Sequence, residues 1–229
     1  MKLLALDAST EFLSLAVCLD DKLYRHDQHA GQTASQLILP QIHNLLDSAK
    51  LDLADLDGIA FGAGPGSFTG VRIACGVAQG LAFGANIPVV GVNVLLALAH
   101  ASGAEKVIAA SDARMREVYH AAYEKKGDEW LEVHAAGVYK PNEVPKVEGS
   151  GWTGVGTAWK VYDEVLSQQY QQNVVNKLPE NTPMAEAIMA IAKPIFAAGL
   201  AKPASEAKPI YIRNRVALTS KERAQGLRL

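Results

Sequence analysis

The chain has 229 residues, 49% hydrophobic and 20% charged, a balance that excludes a disordered chain and fits one large globular domain or two small ones. Its net charge of −2 excludes a chain built as a whole to attract phosphate backbones. Two cysteines, Cys18 and Cys75, each sit in an apolar run and read as small core residues rather than a disulfide, as in a reducing cytosol.

The opening MKLLALDAST breaks at Asp7, too early for a signal-peptide core. No later stretch reads as long and apolar enough to span a bilayer, so the expected location is the cytoplasm. KLLALDAS reads as a buried strand, FLSLAVCL as a second, and KLYRHDQHA, after the turn Asp20–Asp21, as a third. TASQLILPQIHNLLDSAK carries Leu37, Ile38, Ile42, Leu45, Leu46 and Ala49 at helical spacing. Thr33 or Ser35 is its expected N-cap, and Pro40 should kink this helix or mark its first turn. LDGIAFGAG is a short strand before a glycine-rich helix; IPVVGV is a strand and NVLLALAHAS a helix ending near Gly103.

KVIAASD, REVYHAAYEK and LEVHAAGVY then read as three strands, separated by the turns DARM and KKGDE. PNEVPKV is a helical or irregular link, WTGVG a strand, TAWKVYDEVLSQQY one helix, and PMAEAIMAIAKPIFAAG a long apolar helix with a proline near its end. The layout of three strands followed by helices and strands thus occurs twice. It predicts two related α/β halves, residues 1–103 and 104–229, with the last segment able to pack back on the first half.

GAGPGSFTGVRIACGVAQGLAFG, residues 62–84, invites a phosphate-cradle reading, which its chemistry opposes. A P-loop needs Lys and Ser or Thr after its glycines, and here Val71 and Arg72 follow. A Rossmann turn follows the first strand, whereas this one follows a later strand and Pro65 removes a donor. Ser67 reads as a helix cap. Gly76, Gly80 and Gly84 recur every four residues, with Ala74, Ala78 and Ala82 between them. An interior glycine costs a helix about 1 kcal/mol relative to alanine, a cost tolerated where a backbone must come close to another element. A helix apolar nearly all round must also be covered on more than one side. Two arrangements satisfy this: the 35–49 and 69–83 helices bury each other within one subunit, which the pattern alone favours, or together they form a docking surface for another protein.

Asp7, Ser9 and Thr10 could hold magnesium and wrap a phosphate at the first strand end, although Ala8 stands where glycine would allow closest approach; a plain hairpin uses the same residues. The six histidines are dispersed, and no metal-ligand spacing is expected of them. Asp112 and Arg114 sit at a strand-to-strand turn, as a structural pair or as part of a site between the halves. The basic end (Lys208, Arg213, Arg215, Lys221, Arg223 and Arg228 against Glu222) reads as a solvated tail, with a nucleic-acid arm as the alternative.

LALDAST, FGAGPGSFTGVRIACGVAQGLA, SDARMREVY and PIYIRNRVA, in that order over nearly the whole chain, resemble the TsaB (YeaZ) family. The resemblance implies an α/β actin-like ATPase (ribonuclease H-like) fold of two related subdomains, each a mixed β-sheet flanked by helices. It implies a non-catalytic partner of TsaD, working with the ATPase TsaE, in synthesis of threonylcarbamoyladenosine on tRNA. TsaD transfers the threonylcarbamoyl group to the adenosine beside the anticodon. No cofactor is then expected in this subunit alone, ATP and a metal ion being used by its partners. Contact with tRNA would be indirect or weak, and a homodimer is expected where TsaD is absent. In the family the first two helices form the dimer surface. This carries over to Leu37, Ile38, Gln41, Ile42, Leu45, Arg72, Ile73, Gly76, Val77, Gly80 and Leu81 as partner-interface residues. Gly64, Pro65, Gly66, Ser67, Thr69, Gly70, Asp112 and Arg114 become structural motif positions. Members often have histidine where this chain has Ala34, so no role of that histidine carries over. The alternative class is a nucleotide-binding ATPase or phosphotransferase using Asp7 and Thr10. A peptidase reading lacks both a metal site and a nucleophile.

Overall fold

In the computed structural model, which describes residues 1–213, the chain builds one sheet order twice. In the first sheet β1 (Lys2–Asp7), β2 (Phe12–Leu19) and β3 (Lys22–His29) form an antiparallel meander. β4 (Gly58–Gly64) joins β1 in parallel and β5 (Val89–Asn93) joins β4, giving the order β3-β2-β1-β4-β5. The second sheet repeats this with β6 (Lys106–Asp112), β7 (Val118–Lys126) and β8 (Glu129–Tyr139) antiparallel, and β9 (Trp152–Val155) and β10 (Val174–Leu178) added in parallel. Its order is β8-β7-β6-β9-β10, the same path. Two mixed sheets of this duplicated order, flanked by helices, make the actin-like, ribonuclease H-like α/β fold.

Residues 3–6 of β1 and the whole of β4 are apolar because both of their faces are covered. Leu4, Leu6, Leu13 and Leu15 face α1 (Ala34–Ala49) and α2 (Phe68–Ala85). Leu3, Ala5, Ala16 and Val90 face the opposite way. There they meet α3 (Val94–Ala101) through Ala97, and α6 (Ala185–Ala197) through Ile188, Met189 and Ala192. The last helix described thus covers the first sheet. Beyond it the backbone of Lys202 pairs with Val89, and Ile210 N–H donates to Ala63 O at 2.7 Å, so residues 200–213 run as a strap along this half.

Several expectations need correction. The single helix expected over 157–170 is two short ones, α4 (Ala158–Val161) and α5 (Asp163–Gln169), broken at Tyr162, whose hydroxyl donates to Asp112 Oδ1 at 3.3 Å. β10 went unread because it is a five-residue edge strand whose Val175 is exposed, leaving no clean alternation. Pro40 lies at the seventh position of α1, on its exposed side, where water can satisfy the carbonyl that lost its N–H partner. Thr33 precedes α1 but donates its hydroxyl to Ala30 O instead of capping, and Ser35 lies inside the helix. One helix does reach bilayer length and apolarity: α2, 18 residues with mean hydropathy 1.2. Its alanine- and glycine-rich composition raises hydropathy without bulk, and its Ala74, Ala78 and Ala82 lie on the sheet.

Candidate functional site

The glycines of residues 62–84 do two different jobs. Gly62, Gly66 and Gly70 let the turn lie on the β1–β2 hairpin. A Cβ at Gly62 would overlap the Asp7 carboxyl, one at Gly66 would strike Ser9 O at 2.6 Å, and one at Gly70 would overlap Ala8 O. Ser67 N–H donates to Ser9 O at 2.7 Å, and Ser67 Oγ accepts from Gly70 N–H at 3.3 Å, capping α2 as expected. Gly64 adopts φ +106°, ahead of a cis bond to the buried Pro65. Gly76, Gly80 and Gly84 are the opposite case. A Cβ at any of them would meet nothing within 4 Å among the described residues. The expectation favoured by pattern alone, that α1 and α2 bury each other over these glycines, is overturned: the two helices lie side by side on the sheet and the glycine stripe faces out.

Thr69, Arg72, Gly76, Gly80 and Phe83 follow one another at three- and four-residue intervals, and all are exposed. They make a flat floor with Arg72 at one end and Phe83, 75% exposed, at the other. Ile73, Val77 and Leu81 flank it, half-buried against the core. On α1, Leu37 and Gln41 are half-buried. Ile38, Ile42 and Leu45 are buried in the core, so as surface contacts they are corrected: their i, i+4, i+7 spacing marks the inward face of α1. Leu39, 51% exposed, Phe83 and Phe68 are apolar surface residues of these two helices that sequence reasoning missed. The available signal was their phase, off the alanine face of α2 and the core face of α1.

Asp7 ends β1 fully buried. Its Oδ1 accepts from Ser9 N–H at 3.0 Å and from Ser9 Oγ–H at 2.8 Å, while Oδ2 has no partner among the described residues. Burial pushes this carboxyl up to about 7, against the two Ser9 bonds that favour its charged form. Thr10 Oγ1 accepts from Phe12 N–H at 3.1 Å, so both hydroxyls serve the hairpin. Ala8 is buried beneath the α2 N-terminus and Ala34 at the start of α1. Asp112 ends β6, the place in the second sheet that Asp7 has in the first. It accepts from Arg114 N–H at 2.9 Å, and the Arg114 guanidinium lies 3.3 Å from its other oxygen.

No three His, Cys, Asp or Glu side chains come together among the described residues to hold a metal ion. The histidines bond Gln28, Glu11, Asp47, Trp130, Tyr170 and the Lys146 carbonyl, and none bonds a serine or cysteine among the described residues. Of the basic end, Arg213 is 11% exposed in a 2.6 Å pair with Glu117, which corrects its reading as solvated tail. Arg215, Lys221, Glu222, Arg223 and Arg228 lie outside the described residues.

A protein-family model described as TsaD, tRNA N6-adenosine threonylcarbamoyltransferase, matches residues 27–215. The chain is 37% identical to the tRNA threonylcarbamoyladenosine biosynthesis protein TsaB of Escherichia coli (strain K12), over 95% of this chain and 96% of that protein. It is 36% identical to TsaB of Haemophilus influenzae, over 94% and 95%. The solved structure of YeaZ from Pseudomonas aeruginosa superposes with a TM-score of 0.86 at 39% identity, covering 92% of this chain and 99% of that one.

Proposed function

The chain belongs to the TsaB (YeaZ) family, and we propose from that premise that it serves tRNA threonylcarbamoyladenosine biosynthesis as a non-catalytic subunit docking on TsaD through the outward stripe of α2. The observation that carries this is the empty space over Gly76, Gly80 and Gly84. A helix gives up about 1 kcal/mol per interior glycine where closeness is used, and no neighbour among the described residues uses it. A partner backbone could reach the glycine floor, while Ile73, Val77 and Leu81 supply apolar walls. Phe83 supplies an anchor whose burial contributes about 1.5–3 kcal/mol. Because the chain itself matches the TsaD family model, the two proteins would meet as like folds, helix pair against helix pair. In the absence of TsaD the same stripe would pair two copies of this chain. TsaE would join the assembly, and ATP and a metal ion would be used by TsaD and TsaE in the cytoplasm.

A second reading, nucleotide binding at Asp7 and Thr10, draws on the unpartnered Asp7 Oδ2. Weighing against it, Asp7 is enclosed beneath Gly62 and both neighbouring hydroxyls are spent on the hairpin. Calorimetry with ATP and magnesium on the isolated chain separates the readings. The docking proposal is tested by co-purification with TsaD and TsaE, scored for complex formation and tRNA modification. Gly76→Glu, in open space among the described residues, should abolish both while leaving the thermal midpoint no lower than that of wild type. A complex that survives this change overturns the docking surface.

A further inference from the structure

The turn between β6 and β7 holds Arg114, Met115 and Arg116 at φ +58°, +55° and +60°. Three consecutive side-chain-bearing residues in the left-handed region are disfavoured, and such strain persists only where its surroundings impose it. Here the turn is closed by its own bonds, Ala113 N–H to Glu117 O at 2.9 Å and Glu117 N–H to Arg114 O at 3.0 Å, and the strap clasps it. Arg213 donates to Ala113 O at 3.0 Å and to Glu117 Oε2 at 2.6 Å, gripping the turn at its base, and to Met115 Sδ at 2.9 Å, while Arg114, 81% exposed, and Arg116 lie on the surface. Two residues earlier in the strap, Tyr211 accepts a 2.7 Å bond from Arg72 Nε. The Arg72 guanidinium lies 3.4 Å over the Phe68 ring, and both aromatic rings are about half exposed. SDARMREVY, PIYIRNRVA and the start of α2, far apart in sequence, therefore form one continuous surface.

We propose that this surface is a contact site for RNA; the proposal rests on the reading of the chain as a subunit of a tRNA-modifying complex. Four arginines (Arg72, Arg114, Arg116 and Arg213) face two carboxylates, Asp112 and Glu117, so the patch is positive on a chain of net charge −2. Asp112 is held by Arg114 and Tyr162, and Glu117 by Arg213. Arg116 and Arg72 form no ion pair among the described residues, which leaves the Arg116 fork, and the Arg72 N–H groups not spent on Tyr211, for phosphate oxygens. Tyr211 beside them suits an unstacked base, and the Arg72 guanidinium stacked on Phe68 offers its plane to another, a combination that single-stranded RNA recognition uses. An acidic protein would match the arginines as well, and loss of TsaD capture is the outcome that would assign the patch to it.

The test measures binding of an unmodified tRNA transcript by fluorescence anisotropy across a salt series, using the full chain in complex with TsaD. Wild type should bind more tightly than TsaD alone. Arg114→Gln with Arg116→Gln should weaken binding about tenfold and lower the slope of log affinity against log salt by about two. The corresponding lysine pair should restore most of it. Tyr211→Ala should weaken binding about fivefold or more through lost stacking. Wild-type hydrogen exchange needs no variant, and residues 111–117 should gain protection when the transcript is added. Unchanged affinity and slope in the glutamine pair, or no protection in wild type, overturns the proposal. Loss of TsaD capture with RNA binding intact also overturns it, assigning the patch to a protein contact. Variants that keep TsaD capture and bind RNA normally sink this site alone, whereas failure of docking is read separately from Gly76→Glu.

Discussion

Gly62 lies so close to Asp7 that any side chain at position 62 would overlap Asp7 Oδ2. The carboxyl is thereby sealed between its own hairpin and the neighbouring strand, and its pH behaviour follows. Its ordinary value near 3.8 rises to about 7 in the folded chain. Between those values the folded state holds a proton that the unfolded state has lost, so stability is full below about 4 and falls as pH rises toward and through 7. Asp7→Asn should therefore match wild type at pH 4 and exceed it at pH 8 by a few kcal/mol, read from urea unfolding at both values. Equal stability of the two proteins at pH 8 would show that the carboxyl carries no such penalty.

His120 supplies the opposite slope. Its ring stacks on Tyr170 at 7°, and Tyr170 donates its hydroxyl proton to Pro145 O at 2.6 Å. Nε2 of His120, 2.8 Å from that hydroxyl, must then carry the imidazole proton, and the buried Nδ1 stays a bare acceptor. Burial lowers this histidine to about 3, with His134 adding to the effect. Between about 3 and 6.5 the unfolded state binds the extra proton, so this contribution is present above 6.5 and is lost as pH falls. In an NMR titration the His120 ring resonance should stay at its neutral position from pH 8 to pH 5; a midpoint inside that range contradicts the burial.

Gly80→Ala should move two quantities in opposite directions. With nothing near the added methyl among the described residues, the isolated chain should gain about 1 kcal/mol from helix propensity, seen as a raised thermal midpoint. Affinity for TsaD should fall, because the methyl occupies the floor on which a partner backbone would rest. Equal or tighter capture in a titrated pull-down would remove closeness as the reason for the glycine.

Arg213→Ala leaves Ala113 O and Glu117 without their cation and should cost about 1.5–3 kcal/mol in urea unfolding. Amide exchange across residues 113–117 should rise more than elsewhere. Arg213→Lys should recover only part, since one ammonium cannot span both acceptors as the guanidinium fork does. Uniform exchange across the chain in Arg213→Ala would mean that the turn holds its shape unaided.

The duplicated sheet order was legible because strands and helices announce themselves by period, and the layout recurs after Gly103. The capping role of Ser67 was legible from its place between a buried strand and an apolar helix. Which face of α1 looks inward was partly legible. The spacing of Ile38, Ile42 and Leu45 marked an apolar stripe, but a stripe alone does not say whether its cover is a sheet or a partner. The grip of Arg213 on a turn a hundred residues earlier left no local trace, since an ion pair between distant segments has no period. The two classes of glycine also look alike in sequence; only what stands opposite each one separates them.

The cover that α6 gives the first sheet has a consequence for the order in which the protein can be made. A chain emerging from the ribosome completes β1 to β5 well before residues 185–197 appear. Until then the face carrying Leu3, Ala5, Ala16 and Val90 has α3 but lacks Ile188, Met189 and Ala192. The half synthesised first is therefore the half finished last. A nascent chain stalled before Ala185 would present a partly covered apolar sheet face to chaperones, whereas the second sheet needs nothing beyond β10 to close its own order.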